Sequence, residues 1–430
     1  MKNKRHASLP ALMAMTLMFA AAVTNYATGQ TFSVIDNLTG YSGAQILAGL
    51  IFDKAGNLYG TATEGGSGQG VVFEISPLNG GKYKETVLYK FGANGSKDGA
   101  YPAGGLIFDV TGDLYGTTQH GGAYNAGTVF ELSPGANGWS ETVLHSFGSS
   151  NDGAFPTSSL AIDSQGNLYG TTIQGGPYIK CSYSGSFYSC GTAFELSPVS
   201  GGSWTYKLIH SFGHNDDAYF PASGLTLDSA GNLFGECAQG GLYGKGTLYE
   251  LSPGTGGSWT EQIVHQWGNG TDGSYPYGGL IFDSAGNLYG TTSQSGVKGN
   301  MGTVFELAPT QSGWVEQNQY YFGINTDGQF PFSGLLRDGA GNLYGTTHNG
   351  GSQGYGIVFE LTPVSGGWTE EILYNLSGST DGGISSATLV MDAAGNLYGT
   401  TWYGGNVPQC ITGPVPGCGV VFKIAPAAGK

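Results

Sequence analysis

Apolar residues along this chain fall into short runs of four to eight, each closed off by Gly, Pro, Asn or Ser. In the stretch 280–322 there are four of them: Leu280-Ile-Phe-Asp, Asn287-Leu-Tyr-Gly-Thr-Thr292, Gly302-Thr-Val-Phe-Glu-Leu307 and Val315-Glu-Gln-Asn-Gln-Tyr-Tyr-Phe322. Runs of that length, rich in β-branched and aromatic residues and bounded by turn formers, predict β-strands. We label them A to D. Asp-x-x-Gly-Asn joins A to B, where Asp can bond the turn backbone and Gly supplies a positive φ.

The four-run unit repeats. Gly-Asn-Leu-Tyr-Gly-Thr-Thr, or a near copy, recurs with its Asn (once Asp) at 57, 113, 167, 232, 287, 342 and 396. The one long interval, between 167 and 232, carries the insertion Cys181-Ser-Tyr-Ser-Gly-Ser-Phe-Tyr-Ser-Cys190. Seven four-stranded antiparallel units repeated radially predict an all-β, seven-bladed β-propeller. The ends predict how it closes. Thr31-Phe-Ser-Val-Ile35 reads as a spare D strand before the first A strand, while the seventh unit stops after its C strand, Gly419–Ile424. Docking one on the other completes the last blade and removes two open sheet edges.

Composition fits this picture, with 79 glycines and only 10% charged residues in 430. The first residues add a destination. A basic start (Lys2, Lys4, Arg5), an apolar core from Ala11 to Val23 and small residues at Ala27 and Gly29 predict a signal peptide over residues 1–29. One propeller domain then occupies 30–430. Without the leader, 12 basic residues face 30 acidic ones, a net charge of −18. Such a surface excludes nucleic acid as a partner, and no membrane insertion is expected. We expect a secreted or extracytoplasmic monomer.

The repeated strings resemble the GloVer tandem repeats of bacterial choice-of-anchor exported proteins: Gly-Asn-Leu-Tyr-Gly-Thr-Thr, Gly-Thr-Val-Phe-Glu-Leu (302–307) and Asp-Gly-Ser-Tyr-Pro (272–276). The resemblance covers nearly all of the chain after the leader. It implies export and a propeller-like fold, and brings no assigned activity. Many such proteins carry a C-terminal anchoring tail; this chain ends at Lys430 without one, so no surface anchor is expected.

Repetition also sorts candidate chemistry, because a residue present in every unit is structural and one that breaks the pattern is a better functional candidate. By that test the A–B Asp series (53 to 392) serves turns. The Glu after the C-strand aromatic (Glu74 and its equivalents) reads as a partner between blades. His145, His210 and His265 share a D-strand position with Tyr89 and Tyr320, which predicts packing and not metal ligation. The D–A loops, such as Asp98-Gly-Ala-Tyr-Pro102, hold too few oxygens for calcium, and Asx turns explain them better. No cofactor and no metal are expected. Nucleophile elbows, Walker loops and His-Glu-x-x-His pairs do not occur in the sequence.

Variation concentrates in the B–C loops. The position before Gly-Gly holds Glu64, His120, Gln174, Gln239, Gln294, Asn349 and Tyr403; the one before that includes Gln119, His348 and Trp402. This ring of differing polar and aromatic side chains on a uniform frame predicts binding of an extracellular ligand, a glycan or a peptide, on the face formed by the B–C and D–A loops. The competing readings are a hydrolase or lyase using Glu64, His120 and His348, which requires that they converge on the channel opening, and a structural display module. Finally, Cys181–Cys190 and Cys410–Cys418 each flank an enlarged B–C loop and predict two local disulfides, leaving Cys237 as a reduced, unreactive thiol.

Overall fold

The computed structural model describes residues 29–149, 151–178, 181–183, 186–214, 218–295, 299–323, 326–407, 410 and 417–427. The expected signal peptide, apart from Gly29, lies outside these residues, as does Asp217 of the third D–A loop. Seven antiparallel sheets form seven blades. The first contains strands A (Ile51–Phe52), B (Leu58–Ala62), C (Val71–Leu78) and D (Lys82–Lys90). The A strands are only two residues long, shorter than the apolar runs that mark them.

Closure follows the expected exchange. The N-terminal strand Thr31–Asn37 pairs antiparallel with Val420–Ala425, from Thr31 opposite Ala425 to Asn37 opposite Val420. Phe32 stacks on Tyr374 of the sixth blade with ring centroids 3.9 Å apart, so the added strand is held from the side as well as the edge.

Each blade is cored by one C-strand aromatic: Phe73, Phe130, Phe194, Tyr249, Phe305, Phe359 and Phe422, all fully buried. The Gly of Gly-Thr-Thr makes room for it. A Cβ on Gly60 would lie 2.7 Å from the Phe73 ring, and one on Gly399 would lie 2.4 Å from Phe422. Space, and not backbone conformation, demands this glycine. In blades one to five the aromatic that follows strand D then crosses to the next blade, as Phe91 to Phe130 at 5.1 Å, Phe147 to Phe194 at 5.0 Å and Trp267 to Phe305 at 4.5 Å, while Leu376 and Leu38 take its place in blades six and seven. Edge-on ring pairs of this kind add to area burial in holding blades together.

The A–B Asp does what its spacing predicts. Asp53 Oδ1 accepts the Ala55 and Asn57 amides, and Oδ2 accepts the Asn57 side-chain amide and the Tyr59 hydroxyl. The Glu after the C-strand aromatic does not act as expected: Glu74, Glu131, Glu195 and Glu250 accept from the Ser two residues on, within their own blade. Residues two apart on a strand share a face, so the nearest donor is local. Contact between blades falls to D-strand acids such as Glu370, which accepts the Tyr320 hydroxyl at 2.9 Å. Both predicted disulfides are present, 181–190 and 410–418, and Cys237 is buried outside any disulfide. Among the described residues no helix is long and apolar enough to cross a membrane.

Deleting residues 30–38 should bare the outer edge of the last C strand. The truncated chain should melt several degrees lower and associate in size-exclusion chromatography with light scattering; an unshifted, monomeric product would contradict closure by this strand.

Candidate functional site

The face that carries the variable loops is built by one repeated device. In every blade the D–A loop turns back to pair with the end of strand B: Ala44 with Glu64, Ala100 with His120, Ala154 with Gln174, Tyr219 with Gln239, Ser274 with Gln294, Gln329 with Asn349 and Gly383 with Tyr403. The next residue of that loop adopts the left-handed conformation in all seven blades, at Gln45, Tyr101, Phe155, Phe220, Tyr275, Phe330 and Ile384, with φ from 56° to 63°. Five of these precede proline, which disfavours helical backbone still further. Hydrogen bonds on both sides hold the conformation. The Tyr101 amide donates to Gln69 of the preceding blade, and its carbonyl accepts from Gln119. Gln45 donates to Cys418, which carries the device across the junction of the last and first blades.

Strand periodicity then decides which side chains meet. Paired residues and their predecessors point to opposite sides. Gln119, Ile173, His348 and Trp402, the predecessors, line a cavity of about 670 Å³ at the mouth of the central channel, to which all seven blades contribute. Of the predicted site residues, His348 and Trp402 are brought together there, with ring centroids 6.4 Å apart. The other seven are not in its lining. Glu64 accepts a bond from the Gln45 side chain at 2.9 Å. His120 packs near Tyr101 and Phe155, at 5.6 and 5.2 Å. Gln174 pairs through its backbone with Ala154. Gln239 and Gln294 border a neighbouring cavity of about 400 Å³. Asn349 bonds His348. Tyr403 is buried and stacks beneath Trp402 at 4.8 Å, so it supports the indole.

Two residues that the B–C pattern did not single out complete the wall. Tyr277 and Phe332 follow the D–A proline, a position that holds Leu47, Ala103, Thr157, Ala222 and Ser386 elsewhere. Tyr277 lies 5.3 Å from Phe332, and Phe332 5.2 Å from His348. The same irregularity that marked the B–C loops was there to read. Together Tyr277, Phe332, His348 and Trp402 form an aromatic arc on blades five to seven. Opposite stand small and polar residues, among them Ala103, Gln119, Thr157 and Ser159. Burial holds the His348 pKa below its ordinary value, against the opposing bond from Asn349, so the arc is uncharged near neutral pH. The Trp402 Nε1–H is buried without a hydrogen-bond partner.

Behind the channel wall runs a second ring. The first Thr of Gly-Thr-Thr donates to a D–A carbonyl of the next blade: Thr61 to Gly104, Thr117 to Ser158, Thr171 to Ser223, Thr291 to Ser333, Thr346 to Ala387 and Thr400 to Ala48. Blade four breaks the ring with Gly235-Glu236-Cys237. Glu236 is fully buried, and apart from the approach of the Gly279 amide of blade five its carboxylate oxygens have no partner. Cys237 similarly leaves the Thr247 hydroxyl unpartnered, whereas Thr118–Thr128 and Thr292–Thr303 pair at 2.8 Å. The sequence carried this signal in the plainest form, one acid at a position otherwise held by Thr.

Fold and site together define a closed seven-bladed propeller with an uncharged, partly aromatic, ligand-sized mouth. The chain belongs to the Gloeobacter/Verrucomicrobia repeat family, whose model matches residues 20–228 and again 228–430. No curated protein matches it. Solved structures similar to it include a hypothetical selenium-binding protein from Sulfolobus tokodaii (12% identity, 73% of this chain and 74% of that one, TM-score 0.47). The NanB sialidase of Streptococcus pneumoniae is another (12%, 92% and 70%, TM-score 0.44). Similarity this low transfers nothing about activity.

Glu236 yields a pH prediction. Desolvation pushes its pKa well above the ordinary value, with the Gly279 amide pulling the other way. A folded-state pKa above the unfolded one, about 4.3, gives stability that is complete below that pH and lost as pH rises through the folded value. Glu236→Gln should therefore flatten the decline of melting temperature with pH above about 4.3. Glu236→Thr, which can also restore the bond to blade five, should stabilise by about 1–3 kcal/mol at pH 8. Denaturant melts of the three proteins at pH 5 and 8 check this; parallel pH profiles would refute it.

Proposed function

We propose that this chain is an exported, non-enzymatic propeller that binds a neutral glycan at the mouth of its central channel. The carrying observation is the aromatic arc of Tyr277, Phe332, His348 and Trp402 facing a wall where Leu47, Ile173 and Phe220 mix with hydroxyl and amide side chains. Apolar sugar faces stack on aromatic rings, while Gln119, Thr157, Ser159 and Thr388 offer bonds to hydroxyls. Neither acids nor Lys or Arg occur among the residues lining the cavity, which favours an uncharged ligand over a charged peptide. The volume suits a short oligosaccharide, since ligand pockets run from about 300 to 1,000 Å³.

Placement of the acid–base candidates argues against hydrolysis. Sugar hydrolysis by the usual route needs two carboxyl groups flanking one bond. Glu64 and His120 lie off the mouth, engaged with Gln45 and with Tyr101 and Phe155. The basic, apolar and small-residue segments of residues 1–29 support export, as do two disulfides, which persist in oxidising compartments.

The test is a panel of neutral oligosaccharides titrated into residues 30–430 by calorimetry and tryptophan fluorescence. Trp402→Ala should weaken the best binder by roughly 2 kcal/mol, about 30-fold. Asp283→Ala, in an A–B hairpin on the other face, should leave affinity unchanged once both proteins are shown to be folded. Equal losses, or no binder across the panel, would remove the glycan reading.

A further inference from the structure

Most junctions between blades have an outer cluster as well as the inner threonine bond. Its first member is the D-strand Tyr or His, its second the Asp of the following D–A loop, and its third comes from strand D of the next blade; at the closing junction Asp36 and Ser42 stand where the first two members would be. At the junction of blades one and two, the Tyr89 hydroxyl lies 3.0 Å from Asp98 and 3.4 Å from Glu141. At that of five and six, Tyr320 lies 3.5 Å from Asp327 and 2.9 Å from Glu370. In both a phenol brings a proton to two carboxylates.

The junction of blades four and five is different. His265, near the end of strand D of blade four (Trp259–Gln266), replaces the phenol. Its Nε2 lies 3.1 Å from Asp272 Oδ2, and Glu316 from strand D of blade five (Gly313–Tyr321) completes the cluster. One ligand atom from each of the three lies within 4.8 Å of the other two. Asp272 is only 7% exposed, and its Oδ1 has no partner; nor has Glu316 Oε1. The oxygen of Asp98 is unpaired too, but its neighbour is a phenol, with a proton to give and poor affinity for a metal. Where Nε2 carries its lone pair, His265, Asp272 and Glu316 present three acceptors and no donor. At the other histidine junctions, Tyr206 stands beside His145–Asp152 in the place of Glu, while His210 meets Glu261 and the Asp217 that would complete the same set lies outside the described residues.

A second observation falls at the same junction. This is the one where the inner threonine is replaced by the buried carboxyl of Glu236. The junction whose inner threonine is replaced therefore carries, among the described residues, the outer cluster whose three ligand atoms come together. All three residues also border a cavity of about 630 Å³ on the outer side, with Asn269, Thr271 and Gln317 beside them.

We propose that His265, Asp272 and Glu316 form a binding site for a divalent first-row transition metal, zinc or manganese, that ties blade four to blade five. One imidazole nitrogen and two carboxylate oxygens suit these ions better than calcium, which takes six to eight oxygens. Three protein ligands from two blades make the ion a cross-link, and its remaining coordination positions open to the adjoining cavity, as in sites that accept water or an exogenous ligand. The site is independent of the glycan reading, since none of its residues lines the channel mouth.

The repeat supplies its own control variant. Tyrosine occupies the His265 position in blades one and five, so His265→Tyr should fold while replacing the nitrogen ligand with a phenol. The chain is stripped with EDTA, dialysed, and melted with ZnCl2, MnCl2, CaCl2 or no metal, and bound metal is counted by plasma mass spectrometry. Wild type should retain about one zinc or manganese ion per chain and melt roughly 3–5 °C higher with it than without. Calcium should give no comparable shift. His265→Tyr should lose metal affinity at least tenfold with an unchanged near-ultraviolet dichroism spectrum, and His145→Tyr should bind as wild type does. No stoichiometric metal in wild type, or equal binding by wild type and His265→Tyr, would overturn the proposal.

Discussion

The structure depends on each blade satisfying the buried polar backbone of the next. A carbonyl left without a donor inside a protein costs as much as a lost hydrogen bond, and a ring multiplies that cost by its number of junctions. Here two ties recur. A threonine hydroxyl on strand B reaches the following blade's D–A carbonyl, as Thr61 reaches Gly104. The amide of the left-handed D–A residue reaches back to the preceding blade's B–C loop, as Phe155 reaches Ala126. Both bonds also cross the junction between the last blade and the first, through Thr400 to Ala48 and Gln45 to Cys418. The fold closes as a hydrogen-bonded ring as well as an apolar one.

Those ties account for the strain and for the freedom on the loop face. A non-glycine residue with φ near 57° before proline is disfavoured, and strain of this kind costs on the order of 1–3 kcal/mol at each position. Bonds on both sides offset it, and the loop backbone becomes rigid enough that side chains beside it can vary. Tyr277, Phe332, His348 and Trp402 differ from their counterparts in blades one to three, while the left-handed residues beside them keep their bonds to the preceding blade, as Tyr275 does to Lys245 and Phe330 to Met301. Variation reaches the frame itself at Glu236 and Cys237, where a carboxyl is buried and the Thr247 hydroxyl is left without a partner.

Much of this was legible in the residues. Seven copies of Gly-Asn-Leu-Tyr-Gly-Thr-Thr mark seven blades, the surplus Thr31–Ile35 marks the closing strand, and loop lengths around the cysteines mark both disulfides. His348 and Trp402 stood out because they break the repeat. Glu64 and His120 break it equally, yet they sit on the other side of a strand whose side chains alternate, away from the mouth, and Tyr403 lies beneath Trp402 without lining the cavity. Tyr277 and Phe332 were readable by the same rule and lie on the partner loop. That Glu74, Glu131, Glu195 and Glu250 bond within their own blade was not legible, because one-dimensional repetition does not distinguish a donor two residues away from one in the next blade.

The sequence by itself determined the number of blades, the order of their strands and the way the ring ends meet. These follow from local turn chemistry and strand periodicity, which act within one unit and are copied seven times. Only the tertiary structure decided which residues share a space. His265 and Asp272 come from one unit and Glu316 from the next. The aromatic arc draws on three blades, whose approach is set by packing between sheets and by the tilt of each blade around the axis. No residue encodes that approach alone, because it is the shape on which all seven junctions agree.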